Sequence, residues 1–322
     1  MELHKYFDKI VDESQFGKRL DQIITDWFPC YSRSQIQSWI LDGLVKVNGI
    51  VIAKPKQKIL NRVLVEIQAT FKKQRHWEAQ DIHLNIIYED DDILIINKPR
   101  NLLVHPGVGN PNGTMLNALL HYFPPISAVP RAGIVHRLDK DTTGLMIVAK
   151  TIKAHIGLVY SILTKAILRK YEAIATGAII SGGTIEQPIA RHTTKRKKMT
   201  VHPMGKPAVT HYRILERYRN HTRLNVWLET GRTHQIRVHI RYINHPLVGD
   251  PLYGGCVRPI KGASEIFNDI LRRFDRQALH ANFLRFHHPI SNNEMEWCIP
   301  LPKDMIELVR VLQDDTKQYQ NK

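Results

Sequence analysis

Apolar residues recur at spacings of three and four over residues 16–28, at Leu20, Ile23, Ile24 and Trp27, which predicts a helix with one inward face. Pro29 closes it. Ser32 or Ser34 is placed to cap a second helix that carries Ile36, Trp39 and Ile40, with Gly43 as its stop. The period then shortens to two through residues 44–47 and 50–52. Asn48-Gly49 between these runs predicts a hairpin, because both turn residues must take positive φ. Residues 63–67 supply another strand. The pattern therefore marks a small helix–helix–hairpin domain over residues 14–68. A loosely held polar stretch (1–13) precedes it, and a polar linker (69–80) follows.

From residue 81 the pattern changes. Residues 84–88 and 93–96 read as strands around the acidic run Glu89-Asp90-Asp91-Asp92. That run reads as a solvated turn rather than a metal site, since no further ligands follow at metal spacing. Residues 145–149 are continuously apolar, as in a strand buried on both faces. Residues 168–175 alternate, with Tyr171, Ala173 and Ala175 on one face. Strands, loops and short helices continue without a repeat and without regular strand–helix alternation. Residues 81–312 are thus expected to form one α+β domain, and the polar residues 313–322 a fraying tail. Residues 101–130 lack charge, but five prolines break them, which excludes a membrane span there.

Charge adds the first functional indication. Lys and Arg number 46 against 30 Asp and Glu, a net charge of +16, which favours a polyanionic partner. No basic amphipathic helix stands out, so nucleic acid is expected rather than membrane; a basic enzyme without such a partner remains the alternative. Between residues 14 and 75 eleven basic residues face four acidic ones, which suits gripping a phosphate backbone. The three cysteines are widely spaced, so neither a disulfide scaffold nor a cysteine zinc site is expected, and a reducing cytoplasm is the default. Residues 1–12 show no signal-peptide pattern.

Four segments could carry chemistry. His136, Arg137, Asp139, Lys140 and Asp141 crowd the entrance of the apolar run 145–149, where charges need partners or a cleft. They fit a structural ion-pair turn, a catalytic loop, or an Asp139/Asp141 acid pair. In residues 229–241, Gly231 permits a turn and Thr233 can cap a helix facing inward through Ile236, Ile240 and Ile243. Arg232 then stands just before the helix. His234, His239 and His245 lack metal spacing and are expected to be structural or RNA-facing. Tyr171, with two small residues on its strand face, is either core or a base-stacking platform. Arg191 and Lys195, Arg196, Lys197 and Lys198 form a basic run, either solvated or phosphate-gripping.

These residues carry a family resemblance. His136-Arg137-Leu138-Asp139, followed by Thr142-Thr143-Gly144-Leu145, resembles the catalytic loop of the RluA-type pseudouridine synthases, with Thr143 where Ser is more usual. Gly231-Arg232-Thr233-His234-Gln235-Ile236-Arg237 resembles their second signature and Lys170-Tyr171-Glu172-Ala173 their third. Ser32-Arg33-Ser34 through Val47-Asn48-Gly49 resembles the S-four-type RNA-binding module. The resemblance spans nearly the whole chain. It implies an α+β catalytic domain on a mixed, mainly antiparallel sheet with flanking helices and loops, preceded by the RNA-binding module. Residues 131–136, 204–213 and 274–280 resemble one branch of the family, which converts three uridines in the helix 69 stem-loop of large-subunit ribosomal RNA.

The implied reaction breaks the N1–C1′ bond of uridine and rejoins the base through C5, with no cofactor and no metal. By resemblance Asp139 is the nucleophile or acid/base group, Arg232 pairs with it, and Tyr171 stacks on the flipped base. Arg137 would fill the space vacated in the RNA. His136, Arg33, Lys46 and Lys195–Lys198 would contact RNA. The expected partner is large-subunit ribosomal RNA or an assembling subunit, met by a cytoplasmic monomer. Two rivals are a non-catalytic ribosome-assembly protein and an N-glycosyl hydrolase using Asp139 and Asp141.

Overall fold

The chain forms two units, residues 1–76 and 77–322, and the computed structural model describes residues 3–28, 31, 33–71, 77–107, 109–255, 260 and 262–321. In the first unit, helices α1 (Leu20–Trp27) and α2 (Arg33–Leu41) pack on a four-stranded sheet. Its strands are β1 (Leu3–Ile10), β2 (Val45–Val47), β3 (Ile50–Val51) and β4 (Leu64–Phe71), in the order β1-β4-β2-β3. Leu20, Ile23, Ile24, Ile36, Trp39 and Ile40 all enter its core, as the spacing predicted. Asn48 and Gly49 take φ of 49° and 77° at the hairpin turn. The first helix starts later than expected, because Gly17 at φ 80° interrupts the chain before Leu20. Pro29, Ser32 and the side chain of Ser34 lie outside the described residues.

Two expectations fail here. The N-terminal stretch is not loose: β1 pairs antiparallel with β4 from Leu3–Phe71 to Ile10–Leu64. Its mixed charge concealed a strand with a water-facing side. The linker is also shorter than predicted. β4 runs to Phe71, and from Glu78 the chain is already fastened to the second unit. The Glu78 carbonyl accepts from Asn117 Nδ2 (2.7 Å), and Gln80 Oε1 accepts from the Gly113 amide (2.7 Å). Residues 72–76 lie outside the described residues.

The second unit is built on nine strands. They are β5 (Ile86–Glu89), β6 (Ile93–Lys98), β7 (Thr143–Ala149), β8 (Leu168–Thr176), β9 (Gly183–Glu186), β12 (Val209–Arg217), β13 (His221–Leu228), β14 (Leu279–His287) and β15 (Glu294–Cys298). A separate hairpin pairs β10 (Ile189–Arg191) with β11 (Met199–Val201). The main order is β5-β6-β7-β14-β8-β13-β12-β9, with β15 also on β14. Of its pairings only β7 with β14 is parallel, so the sheet is mixed and mainly antiparallel, within an α+β fold. Alternate residues of β6, β7 and β8 feed opposite faces. Leu94, Ile96, Met146, Val148 and Tyr171 pack with α3 (Met115–Tyr122) and α5 (Gln235–Tyr242). Ile93, Ile95, Leu145 and Ile147 pack with α4 (Ile152–Leu163). Ile174 packs with α6 (Glu265–Arg273) and α7 (Lys303–Gln320). Every residue of β7 is buried, which explains its unbroken hydropathy.

Glycine is required where β7 meets β14. Gly144 has φ 117°, and a Cβ there would lie 2.2 Å from the Ala281 carbonyl oxygen. The acidic run folds as a turn, with Asp90 Oδ1 accepting the amides of Asp92 and Ile93 at 2.8 Å. The expected fraying tail is instead the last turns of α7. Asp315 is buried and paired with Arg219 (3.5 Å), and Thr316 Oγ1 accepts the Arg219 amide. Polar partners replace apolar ones on the inward face there, so hydropathy alone misread it.

Candidate active site

Asp139 stands on the loop that enters β7, and that loop is fixed from below. His136 Nε2 accepts the Ile147 amide (3.0 Å). Thr142 Oγ1 accepts from Gln277 Nε2 (2.9 Å), and Thr143 Oγ1 bonds His280 Nδ1 (2.8 Å). Lys98, at the end of β6, is fully buried. Its ammonium donates to the carbonyls of Pro99, Leu102 and Lys140 at 2.8–2.9 Å. Burial pushes Lys98 down to about 7, against the charges of Asp141 and Asp139. Three acceptors match the three protons of its charged form. We expect Lys98→Met to lower stability by about 3 kcal/mol, because orphaned buried carbonyls cost roughly 1–3 kcal/mol each, offset in part by the buried charge removed. A urea midpoint and a turnover rate check this; unchanged values for both reject Lys98 as the anchor of the loop.

The arginine beside Asp139 is not the one expected. Arg232 Nε donates to the Pro207 carbonyl (3.0 Å), and its backbone amide to Gln235 Oε1 (3.0 Å). Asp139 Oδ2 instead accepts from Arg237 Nη1 at 2.9 Å. Arg237 is buried and directed by Asp250, which takes its Nε and Nη2 at 2.7 and 2.8 Å. Asp250 Oδ1 also accepts the amides of Leu252 and Tyr253 at 2.9 and 3.0 Å. Burial works against the charge on Arg237, but Asp250 and Asp139 outweigh it, so the guanidinium stays cationic. The physical reason for the difference lies at the start of α5. His234, not Thr233, is its N-cap residue, and it is left-handed at φ 57°. That kink turns the first helical turn, with Arg237, toward the loop of Asp139.

His234 is the second neighbour, with Nε2 3.8 Å from Asp139 Oδ2. The Tyr253 hydroxyl accepts the Met199 amide (2.8 Å) and is hydrogen-bonded to His234 Nδ1 (2.9 Å). Burial lowers the His234 pKa, against the charge of Asp139. His239 bonds Thr210 Oγ1 and the Gln187 carbonyl, and His245 bonds the Thr176 carbonyl, so each has a structural partner.

Tyr171 projects from β8 into the same cleft, which has a volume of about 540 Å³. Asp139, His136, Arg137, Arg169, Arg232, His234 and Arg237 also line it. Tyr171 is 5% exposed, and burial raises its pKa, which keeps the hydroxyl neutral. Asp141 is not among the lining residues; its carboxylate takes the Asn101 amide (3.2 Å).

The remaining candidates separate. Arg137 is exposed at the cleft. His136 has its Nε2 committed to β7, and its Nδ1 is buried without a partner among the described residues, so neither nitrogen is offered outward. Lys195, Arg196 and Lys197 are exposed between β10 and β11. Lys198 is half-buried, donating to the Leu252 carbonyl and lying 5.7 Å from the Tyr253 ring centre. In the first unit Lys46 is exposed on β2. Arg33 ion-pairs with the buried Asp21 at 3.0 Å. Burial pushes Asp21 up, but hydrogen bonds from Gln37, Arg19 and Arg33 outweigh it and hold it low.

Over 311 residues, 97% of this chain and 95% of the relative, the sequence is 62% identical to ribosomal large subunit pseudouridine synthase D of Escherichia coli (strain K12). The profile described as RNA pseudouridylate synthase matches residues 92–242. The chain belongs to the RNA pseudouridylate synthase family. This pseudouridine synthase is also 56% identical, over 96% of its length and 95% of the relative, to ribosomal large subunit pseudouridine synthase D of Vibrio parahaemolyticus. Its residues 18–60 match the S4 domain. Two human solved structures share the catalytic fold. RNA pseudouridylate synthase domain containing 4 is 24% identical with a TM-score of 0.56, over 71% of this chain and 93% of its own. RNA pseudouridylate synthase domain containing 1 is 25% identical with a TM-score of 0.52, over 73% and 96%. Asp139 and Tyr171 were legible as motif residues. Lys98, Arg169, Arg237, Asp250 and Tyr253 were missed, although Arg169 and Arg237 lay inside segments already singled out, residues 168–175 and 229–241.

Proposed function

We propose that this synthase converts uridines of large-subunit ribosomal RNA, namely three uridines of the helix 69 stem-loop, on free RNA or an assembling subunit. The observation that carries the reading is the Asp139 carboxylate, held by Arg237 in a cleft floored by Tyr171. Its near full-length likeness to proteins named for the large ribosomal subunit supports the substrate class. In this reading the target base leaves its stack and enters the cleft. Tyr171 covers one face of the uracil. Asp139 serves as nucleophile or acid/base group while the N1–C1′ bond breaks and the C5–C1′ bond forms, and the C5 proton moves to N1 or solvent. Arg237 orients the carboxylate, and Arg232 lies farther along the cleft wall. Arg137 occupies the space the base vacates. Lys195, Arg196 and Lys197, with Lys46 and Arg33 of the S4 domain, hold phosphates, so affinity falls steeply with salt. The chemistry needs no cofactor, and it proceeds in the cytoplasm.

Pseudouridine mapping of large-subunit ribosomal RNA after incubation with the enzyme tests this. New pseudouridines confined to the helix 69 loop are expected. Pseudouridines elsewhere reject the helix 69 substrate, and none on free RNA or assembling subunits rejects the ribosomal reading.

A further inference from the structure

Arg169 is a buried cation of the cleft with no anionic partner among the described residues. It lies on the same face of β8 as Tyr171, two residues earlier, and is only 8% exposed. Its Nε is buried with no hydrogen-bond partner among the described residues, and no ion pair forms there to its guanidinium. The contrast with the other buried arginines is sharp. Arg237, 4% exposed, has Asp250 and Asp139, and Arg276, 1% exposed, has Asp304 at 2.6 Å. An unpaired buried charge costs several kcal/mol, so a fold optimised for stability alone would place a neutral residue here. The guanidinium is also left open on one side: the nearest atom to a Cβ built on Gly231 is Arg169 Nη1, at 3.6 Å, and glycine leaves that space empty.

We propose that Arg169 binds the phosphodiester next to the target uridine, completing an anion site that the folded protein leaves without its anion. This rests on the reading that the cleft takes a flipped uridine. Two residues along a strand are about 7 Å apart, so a base on Tyr171 brings its own backbone within reach of Arg169. A guanidinium matches two phosphate oxygens at once, and a charge offsets the buried charge where a neutral uracil oxygen would not.

The test is a cycle between Arg169→Met and helix 69 stem-loops carrying one uncharged methylphosphonate, either 5′ or 3′ of the target uridine. Binding is read against salt. We expect Arg169→Met to weaken binding about tenfold and to lower the salt slope by about one. One of the two methylphosphonates weakens the wild type similarly and has little further effect on the variant. The variant should also be at least as resistant to urea as the wild type, because a buried unpaired charge has gone. Wild-type binding indifferent to both methylphosphonates overturns the proposal. So do losses that multiply independently, and so does a less stable variant whose salt slope is unchanged, which marks a structural role. Pseudouridine formation by the wild type on the unmodified stem-loop is scored separately. Its absence rejects the substrate reading and leaves the binding cycle to decide on Arg169.

Discussion

An Asp139→Asn enzyme is expected to lose about 10³–10⁴-fold of its turnover while folding normally and still binding RNA. Asparagine keeps the shape and can still accept from Arg237, but it supplies neither a nucleophilic carboxylate nor a proton acceptor of useful strength. Folding survives because Asp139 is a minor partner in its own network. Arg237 makes two bonds to Asp250 and only one to Asp139. The measurement is release of tritium from C5-labelled uridine in RNA, beside a urea midpoint and an RNA affinity. Asp141→Asn is the control, expected to stay within about tenfold of wild type, since its carboxylate serves the Asn101 amide away from the cleft lining. Equal losses in both variants would restore the acid-pair mechanism and remove Asp139 from its separate role.

Arg237→Leu carries the second large effect, and it should appear in stability as well as rate. Asp250 has no exposed side-chain surface, and Arg237 is its ion-pair partner among the described residues. Removing one member of a buried pair typically costs about 3–5 kcal/mol, so the urea midpoint should fall markedly. Turnover should fall by about 10²-fold or more, because the carboxylate of Asp139 loses the group that orients it. Arg237→Lys keeps the charge but lacks the fork that serves two carboxylates, and should recover only part of either loss. Arg232→Leu should remain near wild-type stability, since Arg232 gives its side chain to a backbone carbonyl at the surface. A severe stability loss in Arg232→Leu with none in Arg237→Leu would reverse the two assignments.

That reversal is where reading the sequence met its limit. Arg232 and Arg237 sit five residues apart in one run, and both have the chemistry to hold a carboxylate. Which one does so depends on the left-handed backbone at His234 and on Asp250, thirteen residues beyond Arg237. Neither leaves a mark in periodicity. By contrast the helices of the first unit, the Asn48-Gly49 turn and the all-buried β7 were plain, because local spacing and turn chemistry decide them. The error at the end of α7 has a local cause: its inward side is closed by polar partners, Asp315 with Arg219, and a hydropathy pattern has no symbol for a satisfied polar contact. Lys98 was hidden for the same reason: nothing in Asn97-Lys98-Pro99 announces a lysine whose ammonium is enclosed by carbonyls.

The unequal sharing of Arg237 has a consequence for repeated turnover. A carboxylate that forms a bond or takes a proton gives up its charge and releases whatever charge had held it. Were Asp139 the main partner of Arg237, each catalytic event would free a buried cation to wander. With Asp250 holding two of its nitrogens and itself fixed by the Leu252 and Tyr253 amides, the guanidinium is expected to keep its place while, in the proposed reaction, the charge on Asp139 comes and goes. The site therefore begins each cycle already assembled, and successive uridines meet the same geometry.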